Sequence, residues 1–588
     1  MFGSTSRKVK RLGQWNGRIR SSRSDSLIPA SLWHRAVLVR FMVVIATALC
    51  VAWLFILWGS PLPYRPGEVH THEIRARVNF EIINVMRSSH IRHEWLMATR
   101  DLPRDEVGTP PPLVIDTFPA GGILVEAGNI IDEDKFAMLR SEHRTYLKSL
   151  DWRSQITRSI ALLLIIVLLT SILVVYTVRF QLPLAHSLGK ISGICLLVIV
   201  TIAAALFMSQ APWYAMLVPL TFTAMILTIA YNPPFALLMS FCLALLMNVG
   251  VANGLPRLLI HMGGLGIAVL LLREMRSRTR PVEVGFIAGI AYVMMTIATE
   301  LLSLQPTELI IADSVRSFTW ALLSGFILAG CLPLVEKMFG IVTDVSLLDL
   351  ADNTHPLMQE LIRRAPGTYT HSMTVALLAE AAAESIGANT LLTRVGCYYH
   401  DIGKMLKPHY FIENQNGENR HDHLEPALST LVIIGHVKDG MALAKQYNLP
   451  KPIQDFIQQH HGTTLVEYFY REALRLQQEA GNTCSTEFEY VFRYPGPKPQ
   501  SREAGILMMA DCVESASRAL STPTSNSIRK LVHDLLMKRL LDGQFEESSL
   551  TFTELKKIEE SLCKSVIAVY HARIKYPAEP VVNKTQAG

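Results

Sequence analysis

Apolar residues run almost unbroken from Ala36 to Trp58, a stretch of about 23 residues that is long enough to cross a bilayer as a helix. Seven further apolar runs follow a polar interval, at about 156–177, 190–208, 214–231, 234–251, 257–272, 281–304 and 317–338. Links carrying Arg179, Pro212-Trp213, Asn232-Pro233 and Gly254-Leu255-Pro256 separate them. The pattern predicts an α-helical membrane protein with eight transmembrane helices: an N-terminal anchor at 36–58 and a seven-helix bundle within 156–340. Beyond Phe339 it changes to amphipathic helices punctuated by Gly and Pro, at 371–386, 390–402, 425–437, 452–461, 464–480, 502–520 and 551–575. The roughly 240 residues of 341–580 are enough for an all-α domain with its own core. The interval 59–155 predicts a small α/β module, from Thr109-Pro110-Pro111-Pro112, an alternating stretch Gly121–Gly128 and a helix start at Asp132-Glu133-Asp134. The tail 581–588 is expected to be disordered.

Half of the 588 residues are hydrophobic and only 18% are charged, below the roughly 25% of soluble proteins, which excludes a wholly soluble chain. Residues 1–35 hold eight Lys or Arg (Arg7, Lys8, Lys10, Arg11, Arg18, Arg20, Arg23, Arg35) against one acid, Asp25. A basic tail beside a span is held on the cytoplasmic face. Eight crossings then return the C-terminus to the cytoplasm, and the arginines 273, 276, 278 and 280 fall on the inner side. Gly59-Ser60-Pro61 is a poor cleavage site, so the first span reads as an uncleaved anchor. The expected location is the inner membrane, with 59–155 extracytoplasmic and both termini inside. The tail has no aromatic or helical reading motif, which points to the lipid bilayer as partner and not to a nucleic acid polymer. Eight cysteines form no CxxC pair and none lies in 59–155, which excludes a disulfide framework and a thiolate zinc site. Arg40, His261, Glu283 and Glu300 are ionisable groups in the spans; each lies near a span end, where snorkelling to the interface is expected.

Within 341–580 a set of His and Asp residues recurs at helix ends. His371 is expected to open one helix and His400-Asp401 to close the next; His436 ends a third, His460-His461 ends a fourth, and Asp511 sits inside a fifth. Five imidazoles and two carboxylates can furnish two octahedral metal ions if one carboxylate bridges, and adjacent His400-Asp401 suits the bridge. A nitrogen and oxygen set without thiolate favours Fe or Mn. Water activated there can attack phosphorus, with Lys404 adding a point charge on a phosphate oxygen. Asp511 lies in the apolar run Ile506-Leu-Met-Met-Ala-Asp-Cys-Val-Glu514, where a carboxylate needs a buried partner; Glu514 reads equally as support behind a ligand or as plainly exposed. His355, His409, His421 and His423 read as ordinary surface histidines.

His400-Asp-Ile-Gly-Lys404 with His371 before it and Asp511 after it resembles the HD-domain metal phosphohydrolases. Pro366-Gly-Thr-Tyr-Thr-His-Ser372, Ile386-Gly-Ala-Asn389, Tyr398-Tyr-His-Asp-Ile-Gly-Lys-Met405, Phe411-Ile-Glu-Asn-Gln415, His436-Val-Lys-Asp-Gly440, Gln459-His-His-Gly-Thr-Thr464 and Arg493-Tyr-Pro-Gly-Pro-Lys-Pro-Gln-Ser501 resemble the seven-transmembrane receptors with an intracellular HD hydrolase, the PgpH-like cyclic di-AMP phosphodiesterases. The resemblance runs through 341–520 and extends to the seven spans by architecture. It implies a centre of two divalent ions, Fe or Mn, that hydrolyses cyclic di-AMP to linear pApA. It implies His371, His400, Asp401 and Asp511 at one ion and His436, His460 and His461 at the other, with Asp401 bridging and Asp401 and Lys404 serving catalysis. The related cyclic di-GMP class carries a Gly-Tyr-Pro element and a glutamate after the paired histidines. This chain has Arg493-Tyr494-Pro495 and Gly462 there, which argues against cyclic di-GMP. Two other departures are a short outer segment and Thr370 where a second histidine is common. The rival readings are a non-catalytic nucleotide-binding membrane receptor and an HD hydrolase for another nucleotide; homodimerisation and an extracytoplasmic ligand are left open.

Overall fold

The computed structural model describes residues 30–100, 109–272, 275, 277–415, 417, 419–479, 486–520 and 523–571. The basic tail before residue 30, Arg273, Arg276, Cys484 and the tail 581–588 lie outside them. Helix α1 (Ala30–Trp58) leads into strands β1 (Ile74–Arg75) and β2 (Phe80–Ile83), helix α2 (Val85–Ala98), strands β3 (Ile115–Phe118) and β4 (Ile123–Val125) and helix α3 (Glu133–Ser149). There follow α4 (Trp152–Phe180), the short α5 (Leu182–Ala185), α6 (Leu188–Met208), α7 (Leu217–Ala230), α8 (Pro233–Gly250), α9 (Leu255–Leu271), α10 (Arg280–Leu302) and α11 (Thr307–Phe339). Each of the eight predicted spans therefore falls on a helix. Six are long and apolar enough to cross a membrane, whereas α7 and α9, with 14 and 17 residues, are shorter. The seventh helix of span-like length and hydropathy is Pro426–Gln446 in the C-terminal region.

The chain divides into two compact units. The first comprises Met1–Met216, Cys242–Leu258 and Ser303–Pro306. In it β1 pairs with β4 and β2 with β3, both antiparallel, around Ile74, Phe80, Val125, Ile131 and Leu139. Asp132 caps α3 by accepting from Lys135 N at 2.8 Å, with Glu133 and Asp134 in the positive first turn. These four strands and helices α2 and α3 lie within 59–155.

The second unit comprises Leu217–Phe241, Leu259–Leu302 and Thr307–Gly588. Helices α10 and α11 approach closely at glycines: a Cβ on Gly285 would lie 2.9 Å from Ala321 O, and one on Gly325 would lie 2.5 Å from Pro281 O. Small residues at such a crossing let backbones make the contacts that lipid cannot drive. Tyr292 packs over Gly264 and shares a 2.8 Å hydrogen bond with Thr221. Snorkelling does not fit His261 and Glu300, which are both buried against neighbouring residues. Glu283 behaves as expected, exposed and paired with Arg280 at 3.1 Å.

At the end of α11, the Glu336 carboxylate accepts from Thr343 N at 2.8 Å, Thr343 Oγ1 at 2.6 Å and Ser346 Oγ at 2.7 Å. It thereby satisfies the N-terminus of α12 (Asp344–Leu350). Next come α13 (Pro356–Arg364), α14 (Pro366–Ser385), α15 (Thr390–Tyr399), four short 3-10 turns between Ile402 and His423, α16 (Pro426–Gln446), α17 (Lys451–Gln459), α18 (Glu467–Glu479), α19 (Thr486–Tyr490), α20 (Arg502–Arg518), α21 (Ser525–Leu541) and α22 (Phe552–His571). Two apolar clusters hold them. One centres on Val375, Ala379, Phe456, Ile506, Met509, Val532 and Ile558. The other centres on Leu357, Leu361, Val395, Tyr399, Ile402 and Ile457.

Candidate metal centre

Local chain chemistry sets each ligand. Pro366 starts α14, its fixed φ and missing N–H suiting a first turn, so His371 sits inside that helix and does not open it. A Cβ on Gly367 would lie 1.9 Å from Glu413 O; the bare glycine lets the 412–414 turn close over the helix start. Gly387, at φ +65°, ends α14, and Asn389 caps α15 by accepting from Leu392 N at 2.9 Å. Helix α15 stops at Tyr399, with His400 as its C-cap and Asp401 just beyond. The 3-10 turn Ile402–Leu406 then carries Gly403 and Lys404 against α16. His436 lies in the middle of α16, not at its end: the helix continues through Gly440 to Gln446. His460 caps α17, and Gly462 at φ +52° turns the chain after His461. Asp511 occupies the buried face of α20, whose N-cap is Ser501.

All seven predicted ligand residues converge. Asp401 Oδ1 lies 3.3 Å from His436 Nε2 and 3.5 Å from His460 Nε2. Its Oδ2 lies 3.1 Å from His400 Nε2 and 3.6 Å from His371 Nε2. Asp511 reaches His371 Nε2 at 3.1 Å and His461 Nδ1 at 3.9 Å. Two sets have donor atoms mutually within 4.8 Å: Asp401, His436, His460 and His461, and His371, His400 and Asp401. One carboxylate therefore faces a different histidine group with each oxygen.

The buried carboxylates of this pocket are matched by positive neighbours. Burial pushes His460 and His461 down, aided by neighbouring imidazoles, so both rings are neutral. Burial would also lower His371, but Asp511 and Glu514 more than reverse it and raise it to about 10. Burial opposes ionisation of Asp401 and Asp511; the surrounding His400, Lys404 and His371 charges nevertheless hold both carboxyls below their ordinary range.

Each of four rings has its other nitrogen committed. His400 Nδ1 donates to Cys397 O at 2.7 Å, His436 Nδ1 to Ile433 O at 2.6 Å, His460 Nδ1 to Ile457 O at 2.9 Å, and His371 Nδ1 to Glu514 Oε2 at 2.6 Å. This fixes the ring orientations and turns all four Nε2 atoms inward. His436 Nε2 and His460 Nε2 face each other at 3.2 Å, and His371 Nε2, His400 Nε2 and Asp401 Oδ1 are buried without a hydrogen-bond partner. Nitrogens so opposed, and buried atoms so left unpaired, are unfavourable unless a cation lies among them. The residue set fits a divalent metal ion.

Glu514 resolves as a buried support behind His371, itself held by Arg518 Nε at 2.7 Å. Glu514→Gln should weaken metal affinity about 10–100-fold while the protein stays folded, as read by metal titration of the variant. Affinity equal to the parent's would remove Glu514 from the centre.

Lys404 Nζ lies 2.7 Å from Asp401 Oδ2 and 3.1 Å from Glu413 Oε1. Glu413 in turn accepts from Thr368 Oγ1 at 3.0 Å. Burial disfavours the charge on Lys404, but Asp401, Glu413 and Asp511 restore it and hold the ammonium protonated above its ordinary value. The role of Glu413 has no signal in spacing, since it faces Lys404 only through the turns between them. His355, His409, His421 and His423 stand outside both ligand sets.

Residues 156–343 match the family model described as 7TM receptor with intracellular HD hydrolase, and residues 368–516 match the HD domain. A protein of Listeria monocytogenes named cyclic-di-AMP phosphodiesterase PgpH is 35% identical over 471 residues, covering 78% of this chain and 63% of its own. The Bacillus subtilis protein of the same name is 36% identical over 478 residues, covering 78% and 65%. The match thus spans less than two thirds of either relative's length. A crystal structure of the L. monocytogenes PgpH HD domain in complex with cyclic-di-AMP is 46% identical, covering 38% of this chain and all of its own, with a TM-score of 0.35.

Proposed function

Because the chain belongs to the seven-transmembrane receptors with an intracellular HD hydrolase, we propose that it is a membrane-anchored, metal-dependent phosphodiesterase that hydrolyses cyclic di-AMP to linear pApA and lowers the level of that messenger. One observation carries the reading: seven ligand-type side chains from five helical elements meet around Asp401, whose two oxygens face separate histidine groups. His371, His400, Asp401 and Asp511 would hold one divalent ion, and Asp401, His436, His460 and His461 a second. Fe and Mn suit this nitrogen and oxygen set. Such ions supply a nucleophile from water near neutral pH and charge neutralisation at phosphorus.

The remaining steps fall to the chain itself. Water adds to one cyclic phosphodiester, the P–O3′ bond breaks, and the proton passes to the departing 3′ oxygen, which leaves a 5′-phosphate on a linear dinucleotide. Lys404, charged and held by Asp401 and Glu413, is placed to orient a phosphate oxygen at the pocket edge. The buried walls exclude bulk water and strengthen each of these interactions.

Around this centre the proposal keeps eight spans, with 36–58 as anchor and 156–340 as bundle, the 59–155 module outside, and 1–35 and the catalytic domain 341–580 in the cytoplasm. The short α7 and α9 are then spans completed by their flanking residues. The test is product analysis with the purified full chain in detergent, using cyclic di-AMP, cyclic di-GMP, linear dinucleotides and a guanosine alarmone. Conversion of cyclic di-AMP to pApA is expected. Tight binding of cyclic di-AMP without product would establish a receptor instead, and turnover of another panel member alone would change the substrate.

A further inference from the structure

Tyr494 stands beside the cluster and has no part in holding it. Its ring stacks on His461 at 4.2 Å with an interplanar angle of 33° and meets His436 edge-on at 6.2 Å. The residue is 8% exposed; burial pushes its phenol up, and Lys404, Asp401, Asp511 and Cys512 are the charged neighbours that act on it. No hydrogen-bond partner for the hydroxyl occurs among the described residues. The hydroxyl is not closed off from solvent; it stands beside the cluster as a free donor that a bound ligand can meet.

The position is also held firmly. Tyr494 N donates to Thr464 O at 3.0 Å. The preceding Arg493 donates to Thr463 O at 2.9 Å and pairs with Glu489 at 2.8 Å and Asp542 at 3.0 Å. Gln544, fully buried, closes the bracket: its Oε1 accepts from Thr463 N at 3.0 Å and its Nε2 donates to Thr463 Oγ1 and Asp542 Oδ2, both at 2.9 Å. Rigid support of this kind fixes a functional group to within a fraction of an ångström.

We propose that Tyr494 is a catalytic residue that contacts substrate, its neutral phenol donating a hydrogen bond to a non-bridging oxygen of the phosphodiester bound at the cluster. The inference rests on the hydrolase reading above. Because every phosphodiester offers such an oxygen, the contact serves rate and orientation and does not select the base.

Tyr494→Phe keeps the ring and its stacking on His461 and removes only the donor. In the full chain, kcat/KM should fall about 10–100-fold, for cyclic di-AMP and for bis(4-nitrophenyl) phosphate alike, with metal content per chain and unfolding temperature unchanged. Tyr490→Phe, at an exposed tyrosine outside the site, should match the parent. Activity of Tyr494→Phe within about twofold of the parent overturns the proposal, as does loss of activity in step with loss of metal, which would make Tyr494 a prop for His461. A parent protein that cleaves bis(4-nitrophenyl) phosphate but not cyclic di-AMP overturns the substrate reading alone, and Tyr494 is then judged on the generic diester.

Discussion

Asp401→Ala is expected to abolish turnover, by at least about 10³-fold, and to leave the chain unable to retain its metal. The reason is that one side chain serves both halves of the cluster. Its Oδ1 faces His436 and His460 while its Oδ2 faces His400 and His371, so truncation removes a ligand from each ion at once. The fold should survive, because Lys404 retains Glu413 at 3.1 Å and the four rings keep their Nδ1 partners. Elemental analysis and calorimetry on the same sample check this. Metal content and turnover near the parent's would take Asp401 out of the bridging position.

Gly403→Ala should act on the same centre by a different route. A Cβ at 403 would lie 1.9 Å from His436 O and 2.5 Å from Gly440 N. Both are backbone atoms of α16, so no side-chain rotation relieves the overlap, and the 402–406 turn must separate from the helix that carries His436. The cost is expected to exceed about 3 kcal/mol, a fall in unfolding temperature of roughly 10 °C for a domain of this size. Unlike Asp401→Ala, this variant should lose stability and metal together. An alanine variant as stable as the parent would show that the contact between this turn and α16 is not what sets His436 against Asp401.

The sequence made the helices and the ligand set legible to different depths. Long apolar runs marked α1, α4 and α6–α11, because a span must be apolar along its whole length. Yet hydropathy alone also admits Pro426–Gln446, of which Leu443 and Ala444 are buried, Leu428 and Leu431 are exposed, and the buried face carries His436. The helices α12, α13 and α21 and the short turns after Asp401 were missed. The short ones hold few periodic positions, and caps such as Glu336 on α12 are made by residues of another helix; α21 is 17 residues long and has its own capping box at Thr524 and Ser527, so neither reason applies to it. Glycine misled at Gly440, where it serves close approach to Gly403 and Ile457 and does not end the helix.

The chemistry-bearing residues were legible because His and Asp in apolar helices need partners. Their pairing was not, since which oxygen of Asp401 faces which ring depends on how α14–α17 and α20 pack. Glu413 and Tyr494 lie in motifs that carried the family resemblance, but their contacts, like those of Gln544, are made across a distance in sequence that only tertiary packing closes. The snorkelling expected of His261 and Glu300 failed for the same reason, as burial is a property of neighbours and not of distance from a span end.

The most direct measurement titrates metal-stripped full-length chain with Mn(II) while following pApA release from cyclic di-AMP. Turnover that is absent in the stripped protein, rises as metal is taken up and saturates at about two equivalents per chain is the expected result. Undiminished hydrolysis by the stripped chain, or a fully loaded chain that leaves cyclic di-AMP intact, would contradict the assignment.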